Sequence, residues 1–475
     1  MARPSPSVVV LVACGFVAGW SQSGGTQAPT PQPPTTTQAP PATQDPAAPA
    51  GRGRGRGAVD ANGNPIQRPA RGRAATPAYA ILKAPDSVKE GATWIPDLPT
   101  MESLLPPEGW KPDPNEVPWI PATLARLPRT NITRAKYPAI DFHNHTGRLT
   151  TPEQYDAVVK SLDAVGVGAV ANLGGGSGDQ LEAVLKAGAA YKGRVATFFT
   201  FSADGINEPG WAERYAALAE RGFKAGAIGV KVSKTLGQGA RNADGTYIQA
   251  DDPRLDPFWE MCAKYKVPVM IHTSDSIGRF YPISPSNERY EAGLWHAGDT
   301  GGNLYKTGQP TNDVIEKARE NMHRKHPKTI FVNAHMAMLY YDPAKTARLL
   351  DTYPNAYLEV SATLQDLGRA PRLWRDFIVK YQDRILFGTD GGGSSNPDTF
   401  WNPHFRYFET FDEYFEHPAQ IRLAGGSPGH GRWNISGIAL PDAVLRKVYY
   451  QNALKFLPSL KPSIDAQLAA RAAGR

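Results

Sequence analysis

Eight short apolar segments alternate with amphipathic segments from residue 135 onward, and this alternation restricts the fold more than any other feature of the sequence. The amphipathic segments have helical spacing, as in Tyr155, Val158, Leu162 and Val165, which fall on one helix face. Strands that alternate with helices form parallel sheets in α/β proteins. The pattern therefore predicts an α/β fold, a (β/α)8 TIM barrel over residues 135–460, and a doubly wound open sheet is the alternative. The apolar segments are AIDFHNH, GAVANLGG, VATFFTFS, AIGVKVSK, PVMIHTSD, TIFVNAHMA, NAYLEVSAT and RILFGTDGG.

Residues 1–25 have the pattern of an export signal. Arg3 supplies a positive charge, and the uncharged apolar run that follows is too short to span a bilayer. Within this segment, the tetrapeptide LVAC ending at Cys14 resembles a bacterial lipoprotein cleavage site. We therefore expect an exported protein, in the bacterial periplasm, at the outer surface or secreted. For Cys14 the alternatives are membrane attachment through an N-terminal lipid and removal with a cleaved signal peptide.

Three further segments flank the predicted barrel. Residues 26–78 are rich in Pro, Gly and Arg and cannot bury enough apolar surface to fold, so they predict a disordered linker. Residues 1–75 contain seven Arg and two Asp, which give +5 of the formal net charge of +7. The rest of the chain is nearly neutral. We therefore interpret the basic segment as a solvated linker and expect no nucleic-acid partner. Residues 79–134 show no clear period and predict an irregular N-terminal extension, and residues 461–475 are expected to form a tail.

Six residues that can bind a metal ion or a substrate lie at the C-terminal ends of predicted strands, and in a barrel these ends meet at one mouth. Two of them are separated by one residue and therefore point to the same side of their strand. Imidazole and carboxylate groups suit Zn²⁺ or a similar first-row ion. The set therefore predicts a metal site. Its members are His143 and His145 (first strand), Lys231 (fourth), His272 (fifth), His335 (sixth) and Asp390 (eighth).

An ordered set of motifs resembles the amidohydrolase superfamily, in the amidohydrolase-related branch that includes aminocarboxymuconate-semialdehyde decarboxylase and resorcylate-type decarboxylases. The motifs are IDFHNH, VPVMIHTSD, FVNAHMA, RILFGTDGG and YYQNALKFL. The resemblance implies one divalent metal ion, expected to be Zn²⁺, and places His335 where it can act on substrate or water. The implied metal ligands are His143, His145, His272 and Asp390.

Lys231 is less clearly assigned than the other residues. In other branches of the superfamily a carboxylated lysine of the fourth strand bridges two metal ions, whereas this branch generally uses one. Lys231 is therefore either a metal ligand or a substrate contact, and a structural ion pair with a carboxylate is an equal alternative.

The predicted catalytic residues are Asp390 and His335. A bound Zn²⁺ lowers the pKa of its water to about 7 and polarises a substrate oxygen. Asp390 can accept a proton from that water, and His335 can donate a hydrogen bond or a proton to charge that develops on the substrate. These roles predict a hydrolase that acts on a small substrate, aromatic or carboxylate-bearing. One alternative is a decarboxylase with the same ligands, and a second is a catalytically silent binding protein.

Several other polar residues have weaker assignments. Arg279, Arg289 and Arg369 lie in or near loops at the predicted mouth, where an arginine can bind a substrate carboxylate through two hydrogen bonds. Glu359 is a candidate for substrate binding or for support of a metal ligand. His323 and His326 share a charged helix with Arg and Lys and are expected to be solvated. Oligomeric state is not predicted by the sequence.

Overall fold

The computed structural model describes residues 92–94, 125–282, 287–289, 304–305, 307–392, 397–417 and 433–474. The predicted signal peptide, with Cys14, and the predicted linker lie outside the described residues. Part of the predicted extension is described: strand β1 (Ala92–Trp94) pairs antiparallel with strand β2 (Pro128–Thr130). Among the described helices, none is long and apolar enough to cross a membrane.

The predicted TIM barrel is confirmed. Parallel strands follow one another in chain order, and β5 and β6 are the two halves of the third barrel strand. Hydrogen bonding closes the ring, because Phe142 N–H donates to Phe387 O at 2.9 Å and Asn144 forms a parallel bridge with Gly391. The barrel strands are β3 (Ala139–Asn144), β4 (Val167–Asn172), β5 (Val195–Thr197), β6 (Phe199–Thr200), β7 (Val230–Val232), β8 (Val269–Ile271), β9 (Phe331–Asn333), β10 (Ala356–Glu359) and β11 (Ile385–Leu386).

Helices connect successive strands, and local sequence signals set their ends. The first helix begins at Pro152, where the Gln154 side chain accepts the backbone N–H of Thr151 at 3.1 Å, and it ends before Gly166, which has φ +73°. The α-helices are α1 (Pro152–Val165), α2 (Gly178–Ala187), α3 (Trp211–Ala225), α4 (Asp256–Tyr265), α5 (Asn312–Lys325), α6 (Pro343–Thr352), α7 (Leu364–Leu367), α8 (Pro371–Lys380), α9 (Pro397–Phe400), α10 (Asn402–Glu409), α11 (Asp442–Arg446), α12 (Asn452–Leu454) and α13 (Lys461–Ala472).

The C-terminal segment, which the sequence predicts to be a tail, forms helix α13, and this helix packs on the barrel. Ile464 is fully buried in the core. The Arg471 guanidinium donates to Ala135 O and to Gly166 O, both at 2.8 Å, and Gln467 donates to Gly168 O at 3.1 Å. The helix therefore supplies hydrogen bonds to backbone carbonyls around the start of β4.

The prediction that His323 and His326 are solvated is wrong. Both residues are buried. The His323 ring lies between those of Phe331 and Tyr353, with ring centroids 5.1 and 5.5 Å away. His326 Nε2 lies 3.0 Å from a carboxylate oxygen of Asp256. The charged neighbours of these histidines occupy the outer face of α5, whereas the two rings face the strands and the preceding helix.

The burial of His323 predicts a pH dependence of folding stability. Burial lowers the pKa of His323 to about 3, against a smaller raising effect of its contact with Asn333. Because the pKa in the folded state is lower than in the unfolded state, stability falls as pH drops below about 6.5. We expect His323→Phe to gain about 1 kcal/mol of unfolding free energy relative to wild type per pH unit below about 6.5. Chemical denaturation at about pH 7.5 and about pH 5.5 measures this difference. Equal pH slopes for the two proteins would show that the ring is protonated in the folded state.

Candidate metal centre

The structure brings all six predicted residues together at the C-terminal mouth of the barrel, where Lys231 contacts His143. The imidazole rings of the four histidines are close to one another. The distance between ring centroids is 5.2 Å for His143 and His145, 4.9 Å for His143 and His335, and 4.4 Å for His272 and His335. Because the histidines and Asp390 end four different strand segments of the chain, the barrel topology creates the cluster. We call His143, His145, His272, His335 and Asp390 the metal centre below.

Asp390 lies at the middle of this cluster. Its Oδ1 atom is 3.1 Å from His143 Nε2 and 3.0 Å from His145 Nε2, and its Oδ2 atom is 4.0 Å from His335 Nε2. Ligand atoms of His143, His335 and Asp390 all lie within 4.8 Å of one another. Two ligands of one tetrahedral ion, each at about 2.0–2.1 Å, are roughly 3.3 Å apart. The separations of Asp390 from His143 and His145 therefore fit ligands of a single cation.

The carboxylate of Glu359 orients His143. Glu359 is fully buried, and its Oε2 atom lies 2.9 Å from His143 Nδ1 and accepts the Ser361 hydroxyl at 2.7 Å. Because a carboxylate only accepts hydrogen bonds, His143 donates from Nδ1 and presents Nε2 to Asp390. Histidine ligands of metal ions commonly have such a partner. Of the two roles that the sequence allowed for Glu359, substrate binding and support of a metal ligand, its position behind His143 agrees with the second.

His335 is held by a strained turn. Four successive residues, His335 to Met338, have φ between +54° and +59°, a left-handed conformation that costs about 1–2 kcal/mol per residue. Arg319 stabilises this turn, since its Nη1 donates to Ala337 O at 2.6 Å. The His335 Nδ1–H donates to Ser361 O at 2.8 Å, which leaves Nε2 with its lone pair when the ring is neutral. Backbone strain of this kind is typical of functional sites.

His272 has an unsatisfied nitrogen at this site. Its Nε2 atom is buried and has no hydrogen-bond partner among the described residues. Burial, together with the electrostatic effect of His335, lowers its pKa well below the usual value, so the ring is neutral at pH 7 and one of its two nitrogens carries a lone pair that can bind a metal ion. An orphaned lone pair beside His335 is an available metal ligand. Neutral imidazoles and one carboxylate are the donor set that Zn²⁺ and similar ions use.

Electrostatics keep Asp390 ionised. Although burial opposes it, the neighbouring His143 and His145 hold the pKa of Asp390 well below the usual range. For His143, burial and Lys231 lower the pKa, but the carboxylates of Asp390 and Glu359 outweigh them and raise it. The two carboxylates thus favour a positive charge at His143 Nε2. A divalent cation bound there can take the place of that proton.

Lys231 and His335 have lowered pKa values. Burial lowers the pKa of Lys231 to about 8 and that of His335 to about 4. Lys231 Nζ lies 2.9 Å from His143 Nε2. The partner of Lys231 is therefore an imidazole of the metal centre. The alternative of a structural ion pair requires a carboxylate partner, and none of the described carboxylates forms an ion pair with Lys231.

The three arginines predicted as substrate contacts have different environments. Arg369 is exposed and pairs with Glu288 at 2.7 Å. Arg289 is buried and pairs with Asp366. Arg279 is buried in the segment that follows His272.

Sequence reasoning missed Asp141, which joins the first and last barrel strands. Its carboxylate accepts the backbone N–H of Thr389 at 3.0 Å, the Thr389 hydroxyl at 2.7 Å and Trp401 Nε1–H at 3.0 Å. Burial raises the pKa of Asp141 to about 6, and these hydrogen bonds limit the rise. Asp141 thus fixes Asp390 relative to His143. The available signal was the pair of short motifs, IDFH and GTD, that end these strands.

Comparisons with known proteins agree with this site. The sequence model of the amidohydrolase family matches residues 109–459. A search of curated proteins gave no match. The chain is similar to the solved structure of an uncharacterised TIM-barrel protein from Bordetella bronchiseptica, with 15% identity, 68% of this chain and 99% of that chain covered, and a TM-score of 0.41.

Two further solved structures are similar to this chain. One is 2,6-dihydroxybenzoate decarboxylase from Rhizobium, with 15% identity over 68% of this chain and 99% of that chain and a TM-score of 0.40. The other is 4-oxalomesaconate hydratase from Rhodopseudomonas palustris, with 11% identity over 70% of this chain and 99% of that chain and a TM-score of 0.40.

The family match confirms the resemblance that the motifs suggested, and it covers the whole barrel. The family is metal-dependent, which agrees with the His and Asp donors at the mouth. The chain therefore belongs to the amidohydrolase family and is an enzyme of the hydrolase or carboxy-lyase kind.

Proposed function

We propose that this chain is a hydrolase of a small substrate that works with one divalent metal ion, Zn²⁺ by its donor set. His143, His145, His272 and Asp390 would hold the ion. His335 is retained as the group that faces the substrate, because its Nε2 is 4.0 Å from Asp390, whereas those of His143 and His145 are at 3.1 and 3.0 Å. The observation that carries the proposal is the convergence of these side chains around Asp390.

Asp390 is suited to accept a proton from the attacking water. A metal ion, when bound, polarises a substrate oxygen and makes the water more acidic. The Asp390 side chain is 35% exposed, so its carboxylate reaches the open mouth, and it is ionised at neutral pH. It can take the proton of the water and release it to the leaving group.

For His335 the proposed role is that of a hydrogen-bond or proton acceptor, whereas the sequence analysis expected a donor. Its Nδ1–H is committed to Ser361 O, and its pKa of about 4 leaves the ring neutral near pH 7. Nε2 therefore accepts a hydrogen bond or a proton from substrate or water. This tautomer follows from the hydrogen-bond partner of Nδ1.

The charges of Asp390 and His335 suit hydrolysis, which begins with removal of a proton from water. Asp390 is ionised and His335 is neutral at neutral pH, so both groups can accept that proton. The alternative decarboxylation leaves a carbanion that must be protonated, and Lys231, whose pKa of about 8 keeps it protonated at neutral pH, is the group that could supply that proton.

Metal analysis followed by a substrate panel tests the proposal. We expect about one Zn²⁺ per chain, loss of turnover on exhaustive chelation and recovery when the ion is restored. The panel comprises lactones, amides and aromatic carboxylic acids, assayed for acid release and for carbon dioxide. Carbon dioxide release would overturn hydrolysis in favour of the carboxy-lyase reaction. Turnover that survives complete removal of metal would overturn the metal-dependent mechanism.

A further inference from the structure

We propose that Arg319, on helix α5, is a positioning residue that aligns His335 with the rest of the metal centre. It acts from behind the site, through the two loops that follow His335 and His272, and not by contact with substrate. This inference deepens the proposed function and rests on it, because His335 is there the group that faces the substrate.

One guanidinium nitrogen of Arg319 contacts both of these loops. Its Nη1 donates to Ala337 O at 2.6 Å and to Thr273 Oγ1 at the longer distance of 3.4 Å. Ala337 lies two residues after His335, and Thr273 directly follows His272. The rings of these two histidines are adjacent, with centroids 4.4 Å apart. Arg319 therefore links the two segments whose relative position sets the distance between these rings.

Both loops have left-handed backbone where helix α5 contacts them. Ser274 has φ +71°, and the turn His335–Met338 has φ between +54° and +59°. The Ser274 hydroxyl donates to the side-chain oxygen of Asn312, the first residue of α5, while Arg319 holds the second turn. Such a conformation in residues other than glycine persists only where surrounding contacts impose it. Helix α5 supplies contacts of this kind to both loops.

Arg319 is a buried cation whose hydrogen bonds go to neutral groups. The residue is 2% exposed. The charges of Glu316 and Glu320 favour its protonated form, but these carboxylates form their ion pairs with Lys345 at 3.0 Å and with Arg348 at 2.8 Å. Burial of a guanidinium is costly, and packing alone would favour an apolar side chain at this position. Its hydrogen bonds to the two loops, strengthened by the charge, account for the arginine.

Loss of this contact is expected to displace His335 more than the metal ligands. The His335 ring is fixed by its hydrogen bond to Ser361 O, at 2.8 Å, and by the turn that Arg319 holds. His143 is held separately, by Glu359 at 2.9 Å. When the turn relaxes, His335 Nε2 moves relative to Asp390, and a shift of about 1 Å at a reacting group can lower a rate on the order of 10²-fold.

Steady-state kinetics of the Zn²⁺-loaded full chain test this role, with the substrate of the panel that turns over fastest. Arg319→Met should lower kcat on the order of 10- to 100-fold and leave KM and the affinity for Zn²⁺ nearly unchanged. Arg319→Lys should recover part of the loss, because its ammonium can still donate to Ala337 O. Arg324→Met, at an exposed position of the same helix, should match wild type. A kcat of Arg319→Met equal to that of wild type would overturn the proposal.

A second variant separates positioning from a general loss of stability. Met322 is fully buried on the same helix and makes none of the hydrogen bonds to the two loops. Met322→Ala should unfold at a lower denaturant concentration than wild type, because it leaves a cavity, but should keep the wild-type kcat. If Met322→Ala lowers kcat as much as Arg319→Met, the effect comes from the stability of α5 in general, and the positioning role is wrong.

Heteronuclear NMR of isotope-labelled histidine rings gives a readout that requires no substrate. In the wild type near neutral pH, with and without Zn²⁺, we expect His335 to carry its proton on Nδ1, and the variant His335→Gln assigns the signals. Arg319→Met should shift these signals or show both tautomers, whereas Met322→Ala should not. Unchanged His335 signals in Arg319→Met would overturn the proposal. Absence of turnover with every member of the panel would instead refute the proposed hydrolase, and the NMR comparison would still decide the role of Arg319.

Discussion

Asp390→Asn is expected to lower turnover by about 10²–10⁴-fold, the usual contribution of a general acid or base. An amide cannot take a proton from water, and it also removes a negative charge that faces His143 and His145 at 3.1 and 3.0 Å. We therefore expect weaker metal binding as well. Steady-state kinetics at saturating metal and metal analysis of the purified variant measure the two effects separately.

The choice of Asn follows from the backbone. Asp390 has φ +62°, a left-handed conformation that Asn adopts at a lower cost than Ala. Asn thus removes the charge without adding strain to the turn. Asp383→Asn is a suitable control, because Asp383 lies at the opposite end of the same strand, where its partner is Lys447 at 3.0 Å. Wild-type turnover in Asp390→Asn would exclude Asp390 as the proton acceptor.

Sequence reasoning could place the site because barrel topology is simple. Once the eight apolar segments are taken as parallel strands, the ends that carry His143, His272 and Asp390 must meet. Nothing in this step requires knowledge of side-chain contacts. The same step named Glu359 as a candidate for support of a ligand but not which histidine it contacts, and it did not reveal Asp141, because these hydrogen bonds join strands far apart in sequence.

Backbone strain was equally hidden from the sequence. The left-handed turn from His335 to Met338 contains no glycine, so its residues give no signal of positive φ. Tertiary contacts, such as the hydrogen bond from Arg319 to Ala337, impose it. Burial of His323 was missed for a related reason. Charged neighbours suggested a solvated helix, whereas Arg324 and Lys325 are exposed and the ring of His323 faces the core.

The partners of the three arginines also required coordinates. All three fall near loops at the mouth, and the sequence treats them alike. The structure pairs Arg289 with Asp366, Arg369 with Glu288 and, at the longer distance of 3.9 Å, Arg279 with Asp275. A long-range ion pair between two loops leaves no pattern that a single sequence can show.

Glu359→Gln should weaken metal affinity by about 10- to 100-fold, the usual effect of removing an outer-shell partner of a histidine ligand. The Glu359 carboxylate accepts a hydrogen bond from His143 Nδ1 at 2.9 Å and so raises the basicity of Nε2. An amide oxygen can still accept this hydrogen bond, but it lacks the negative charge. We therefore expect turnover to recover largely when metal is added in excess, unlike that of Asp390→Asn. Competition with a chelator of known affinity measures the change.

A matched control separates this effect from a general loss of a carboxylate. Glu220 pairs with Lys264 at 2.7 Å on the outside of the barrel, and Glu220→Gln should leave metal affinity unchanged. If Glu359→Gln binds metal as tightly as wild type, His143 does not depend on Glu359 for its ligand character. If excess metal fails to restore turnover, the loss of the Glu359 charge lowers turnover even when the ion is bound. Glu359 would then act on the reaction itself. The response to added metal thus distinguishes a residue that supports a ligand from one that takes part in proton transfer.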